Sequence, residues 1–173
     1  MWVKLLYHRT MENRMILSDE KIEQAKKFAT IRQNCASTCK HDSHSKSVGS
    51  FIHLIGICGE MAFCDFLGID YIFTNKTFKS RADVVYLGVD YEVKASRGWT
   101  YCIKKYESTK NIVFVKLSND LTSYTILGQI QLNELLDICG EFGIPQYYDD
   151  GSCWGWRINY REIRESLVKI NCK

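Results

Sequence analysis

Apolar residues recur at helical spacing at Ile22, Ala25, Phe28 and Ala29, with Arg32 continuing the stripe, while Lys21, Lys26 and Lys27 take the other face. That rhythm predicts a helix running to about Gln33. Ser18 reads as its N-cap, and Asp19 and Glu20 sit in the first turn, where the helix dipole favours acids. From Asn34 to Ser50 the pattern disappears: NCASTCKHDSHSKSVGS is polar and predicts a long loop. SFIHLIGICGEMAFCDFLG, Ser50 to Gly68, is strongly apolar and predicts a second helix closed by Gly68. Gly56 and Gly59 within it would let one face approach a sheet closely.

Beyond Gly68 the period changes. Runs rich in Val, Ile, Phe and Tyr predict strands at Tyr71–Thr74, Ala82–Leu87, Val89–Ala95, Asn111–Leu117 and Tyr124–Leu127. LNELLDICG predicts a short helix closed by Gly140, and CWGWRI a strand, with Trp154 and Trp156 alternating as core or edge packing. Asn159 with Glu162 is a capping-box variant that opens a final helix, YREIRESLVKI. The opening residues Met1 to Thr10 suit a short strand or an arm. The order predicts an α/β (α+β) fold, with helices packed on a mixed central sheet.

At 173 residues, 46% hydrophobic and 25% charged, the chain has the composition of one globular domain. That domain would span 1–173: an N-terminal helix and polar loop over 1–49, a core region over 50–130, and a helix–strand–helix over 131–173. The sequence reading finds no apolar run approaching the ~20 residues of a membrane span, and no secretory leader. Its eight cysteines are scattered rather than framed. Cys58, Cys64 and Cys139 fall in apolar helical patterns, as small buried hydrophobes do. The expectation is a cytoplasmic protein with reduced thiols and no membrane partner. A net charge of +3 permits a nucleic-acid partner without arguing for one.

Charge in the strand region is less ordinary. In ADVVYLGVDYEVKAS, alternation puts Asp90, Glu92 and Lys94 on one face and Tyr91, Val93 and Ala95 on the other. A tight turn at Gly88 would bring Asp83 back towards Glu92. Glu60 stands beside Ile57, Met61 and Cys64 on the apolar helix, where an unpaired carboxylate costs several kcal/mol. A half-buried strand with a solvated face explains the alternation alone. Three acids and a lysine also have a joint chemistry: hard oxygen ligands hold Mg²⁺ or Mn²⁺ against phosphate oxygens, and the lysine orients the attacking water.

Asp83, eight residues, then Glu92-Val93-Lys94 resembles the bipartite signature of the PD-(D/E)XK nuclease superfamily, and the helix GICGEMAF with Glu60 is similar to the one that supplies a further acid there. The proline that names the family is absent; Arg81-Ala82 precede Asp83. The resemblance implies a restriction-endonuclease-like mixed sheet flanked by helices. It implies that Asp83, Glu92, Glu60 and the Val93 carbonyl hold Mg²⁺ (or Mn²⁺) and that Lys94 positions water or acts as base. It also implies hydrolysis of phosphodiesters, in DNA rather than RNA, and permits a homodimer. The same fold can serve as a binding or inhibitory protein without catalysis.

Other groups carry two readings each. Arg97, Lys104, Lys105 and Lys110 interleave with Trp99, Tyr101 and Tyr106, as nucleic-acid contact requires, or as an ordinary basic surface provides. Lys40 and Lys46 in the polar loop are candidates for the phosphate backbone. His53, seven residues before Glu60, is a candidate accessory residue or a hydrogen-bonded histidine at the helix start. Cys35, Cys39, His41 and His44 are too closely spaced for an ordinary zinc module, and a polar loop accounts for them better. A nucleophile elbow, a phosphate-binding P-loop and a dinucleotide loop are all missing from the sequence.

Overall fold

The computed structural model describes residues 14–36, 46–73, 82–104, 110–147 and 151–170, with backbone alone at 36 and 46–49. The chain runs β1 (Met15–Ile16), α1 (Asp19–Ala36), α2 (Lys46–Leu67), β2 (Val84–Tyr86), β3 (Val89–Ser96), β4 (Thr100–Lys104), β5 (Asn111–Leu117), β6 (Ser123–Gln131), α3 (Leu132–Phe142), β7 (Ile144–Tyr147), β8 (Cys153–Asn159) and α4 (Tyr160–Ile163). The fold is a mixed α+β one. Five strands form a sheet in the order β1-β6-β5-β3-β2, and three form a second sheet in the order β4-β8-β7. Among the described strands only the β3–β5 pair is parallel.

β5 explains the layering. Asn-Ile-Val-Phe-Val-Lys-Leu is nearly unbroken apolar sequence because both of its faces are buried. Val113, Val115 and Leu117 join the core under α1 and α2, with Ala25, Ala29, Ile57, Met61 and Phe63. Ile112 and Phe114 join the opposite core, with Tyr101 and Ile103 of β4, Ile158 of β8, Leu135 and Cys139 of α3, and Ile163 of α4. The helix pair, the large sheet and the small sheet with α3 therefore stack as three layers. α2 approaches the sheet at Gly59, where a Cβ would collide with Ala95 Cβ, whereas Gly56 meets nothing within 4 Å. Of the two glycines expected to permit that approach, Gly59 alone does so.

Ser18 caps α1 through the Lys21 N–H at 3.3 Å. α2 ends at Gly68, whose φ of 69° is left-handed. Its segment Ser50–Leu67 has a mean hydropathy of 1.5, long and apolar enough by composition to cross a membrane. That corrects the sequence reading of apolar runs. Here half of that segment is buried in the core.

Other expectations change. α2 begins at Lys46, inside the stretch read as loop. Tyr71–Phe73 is not a strand; Phe73 stacks on Phe28 at 4.2 Å instead. α3 runs through Gly140 to Phe142, and the Gly143 N–H closes it on Cys139 O at 2.9 Å. β4 and β7 are strands where none was expected. Asn159 does cap α4, accepting from the Arg161 N–H at 3.1 Å, but the Glu162 carboxylate takes Arg161 Nε at 2.6 Å. The helix stops after Ile163, because Val168 leaves to exchange hydrogen bonds of 2.9 and 2.8 Å with Gln129 of β6. β6 is thus flanked on its outer side by β1 at Ser123–Tyr124 and by Val168 at Gln129. Met1–Thr10, Thr74, Cys39, His41, His44 and Tyr106 lie outside the described residues.

Candidate active site

Two residues connect β2 to β3, Leu87 at φ 50° and Gly88 at φ 76°. Paired positive φ values match the right-handed twist of the strands they join, as in a type I′ hairpin. The register sets Val84 opposite Tyr91, Val85 opposite Asp90 and Tyr86 opposite Val89. The Asp83 N–H also donates to Tyr91 O, at 2.9 Å. Two consecutive residues therefore face one, the pattern of a β-bulge, which re-aims a side chain. The Asp83 carboxylate turns onto β3 and accepts the Val93 N–H at 2.7 Å. In an extended strand the N–H and C=O of one residue point the same way, so the Val93 carbonyl is directed to the Asp83 side, away from β5.

Val93 Cγ1 and Ala95 lie against Gly59 of α2. Strand alternation sends Glu92 and Lys94 out of the opposite face, where their parallel register partners are Ile112 and Phe114. Lys94 Nζ stands 3.1 Å from Glu92 Oε1, with side-chain exposures of 12% and 16%. This is a shielded acid–lysine pair at the edge of the second core.

Glu60, 4% exposed, belongs to the helix face. Arg32 reaches across from α1 and donates to both its oxygens, at 2.9 and 3.2 Å, and the Tyr71 hydroxyl donates to Oε2 at 2.7 Å. Burial pulls the Arg32 guanidinium down, but hydrogen bonding to Glu60 and its charge, with smaller effects of Tyr71 and Asp83, leave it raised. The Tyr71 phenol is pushed well up, first by burial and then by the Glu60 charge, with Asp83 adding to it. Asp83 is thus the electrostatic link between this trio and the hairpin. It also lines a cleft of about 570 Å³ together with Asp70, Tyr71, Val84 and Asp90.

The hairpin therefore brings Asp83, the Val93 backbone and the Glu92–Lys94 strand together. Glu60 stands on the other side of the sheet from Glu92 and Lys94, already gripped by Arg32. Among the described residues no three His, Cys, Asp or Glu side chains gather as a metal-holding group. Two carboxylates and a carbonyl are hard oxygen donors, the kind that Mg²⁺ accepts beside water and phosphate. The donor chemistry at Asp83, Glu92 and Val93 fits that ion; Glu60 fits it poorly.

His53 is half-buried on α2, two turns before Glu60 and so about 10 Å away along the axis. The Arg97 guanidinium lies 4.4 Å from the Phe51 ring centroid and donates to Asn119 O at 3.1 Å. Lys104 is exposed at the end of β4. Tyr101 is 2% exposed and belongs to the core rather than to a base-stacking surface. Lys46 is the first residue of α2, described by its backbone only, while Lys40 and Lys105 lie outside the described residues.

Sequence reasoning missed Arg32, placed on an apolar stripe, and Tyr71, placed on a strand. The signal was available: a carboxylate buried on one helix calls for a cation on its neighbour. Compared with known proteins, the chain matches no family model, and no curated protein or solved structure matches it.

Proposed function

We propose that the chain is a metal-dependent nuclease of the PD-(D/E)XK type with a restriction-endonuclease-like fold, hydrolysing phosphodiester bonds in DNA rather than RNA. The observation that carries this reading is the hairpin, in which Asp83 grips the Val93 amide while Glu92 and Lys94 share the adjoining face, 3.1 Å apart. Asp83, Glu92 and the Val93 carbonyl would hold Mg²⁺ or Mn²⁺, which lowers the pKa of bound water and polarises the phosphodiester. The bulge orients the Asp83 carboxylate, and Glu92 orients the Lys94 ammonium. Lys94 places the attacking water and offsets charge growing on the phosphate. Glu60 acts in this reading as a positioning residue, fixed by Arg32 and Tyr71 behind Asp83.

The test is cleavage of labelled single-stranded, duplex and branched DNA and of RNA, with Mg²⁺, Mn²⁺ or EDTA, by the wild type, Glu92→Gln and Lys94→Ala. Metal-dependent cutting of DNA that falls by about 10²–10⁴-fold in both variants is the expected result. Cutting that survives EDTA, or survives both substitutions, overturns it. A second reading, a nucleic-acid-binding or inhibitory protein without catalysis, is favoured by one observation: three metal-ligating side chains do not converge among the described residues. A folded wild type that binds DNA and cuts nothing would establish that alternative.

A further inference from the structure

The face carrying Glu92 and Lys94 continues beyond them. Ser96 follows on β3 by alternation, and its parallel partner on β5 is Lys116. Lys116 is therefore the next cation along that face, at the rim where both strands end. Its Nζ donates to Arg97 O and to Leu117 O, the latter at 3.0 Å, and stands 5.3 Å from the Trp99 ring centroid. Two of three ammonium donors are spent on carbonyls, leaving one for another acceptor. Trp99 is held through its carbonyl, which accepts the Tyr160 N–H at 2.7 Å, and its ring is tilted on Tyr160 at 5.2 Å, yet it stays 40% exposed.

The charge balance at this rim points to an anion. Among the described residues neither Lys116 nor Arg97 meets a carboxylate; their partners are the Asn119, Arg97 and Leu117 carbonyls and the Phe51 and Trp99 rings. Burial first, then the Arg97 charge, pulls the Lys116 ammonium down. Two neighbouring cations without a counter-charge oppose each other, and a phosphate between them would relieve that repulsion. An exposed indole beside a cation is what a nucleotide base stacks on.

We propose that Lys116 and Trp99 form a subsite for the nucleotide next to the scissile phosphate in single-stranded DNA, Lys116 contacting its phosphate and Trp99 stacking on its base. The placement relative to the scissile bond rests on the nuclease reading; the binding does not. The experiment is fluorescence anisotropy of a labelled oligothymidylate in EDTA, across a salt series, with the full chain. Lys116→Met is expected to weaken binding and to lower the slope of log K against log salt by about one. Trp99→Leu should weaken binding by about 5- to 100-fold with the slope unchanged, and Trp99→Phe should restore much of it. Lys116→Arg, which keeps the charge, guards against a Lys116→Met chain that fails to fold. Wild-type slope and affinity in Lys116→Met and Trp99→Leu overturn the subsite, as does a wild type that does not bind. Cleavage is not read here, so a chain that binds in this way but never cuts keeps the subsite and loses the nuclease.

Discussion

Arg32 holds both carboxylate oxygens of Glu60, at 2.9 and 3.2 Å, between two helices that contribute to one core. With side-chain exposures of 14% and 6%, the pair is well shielded from water. Removing one partner strands the other charge, so Arg32→Ala should cost about 3–5 kcal/mol in urea unfolding. Arg32→Lys should recover little, because an ammonium does not reproduce the two-pronged contact. Arg32→Met with Glu60→Leu should be less damaging than the two single changes summed. An additive cycle would show that the pair is not energetically coupled.

Gly59 and Gly56 should respond oppositely to alanine. Gly59→Ala drives a methyl into Ala95 and separates α2 from β3, costing about 1–3 kcal/mol. Gly56→Ala has open space and a better helix former, and should gain about 0.5–1 kcal/mol. Thermal unfolding of both variants reads the sign directly.

Leu87 occupies a left-handed position, φ 50°, while 76% exposed. Little packing is lost there, and the backbone favours Asn. Leu87→Asn should therefore stabilise the hairpin by about 0.5–1 kcal/mol, read as a higher melting temperature. A lower melting temperature would place Leu87 in a contact that its exposure does not suggest.

Alkaline pH should destabilise the chain, first through its buried thiols and then through the phenols of Tyr71, Tyr101 and Tyr124, whose ionisation burial also opposes. Burial pushes Cys58 up from 9.0 to about 11 and Cys139 from 9.0 to about 12. Burial first, then the charges of Glu60 and Asp65, raises Cys64 to about 12. The folded state holds these protons more tightly than the unfolded one, so the stability is full below about pH 9 and is lost as pH rises towards those values. Each thiol removes about 1.4 kcal/mol per pH unit inside its window. Urea midpoints between about pH 8 and about pH 11 should fall, and fall less steeply in Cys58→Ala. An unchanged slope in Cys58→Ala would mean that this thiol is accessible to solvent.

The helical periodicity of α1, the apolar run of α2 and the unbroken β5 were readable because burial on one face, most faces or both faces leaves distinct patterns. The β2–β3 hairpin was readable for the same reason, with Gly88 marking its turn. β4 escaped because its exposed alternate positions, Thr100, Cys102 and Lys104, looked like a basic link, although Tyr101 and Ile103 carry a core. α4 was overextended because nothing local announces that Val168 will pair with Gln129. At the site, alternation placed Glu92 and Lys94 together, and the turn at Gly88 returned Asp83 to β3, where it meets the Val93 amide. It was silent on Glu60, whose side of the sheet depends on how α2 docks at Gly59, a relation between segments distant in sequence.

β6 has a consequence for the chain as it is synthesised. Its outer side is covered at two points by segments far apart in sequence, Met15–Ile16 and Val168. The first is already made when β6 leaves the ribosome; the second arrives only after α3, β7, β8 and α4. Until then Gln129 presents an open N–H and carbonyl on a nine-residue strand, a template for another nascent copy. Arrival of Val168 is thus the step that covers this part of the edge, and a chain cut short before Val168 would leave it open to another copy.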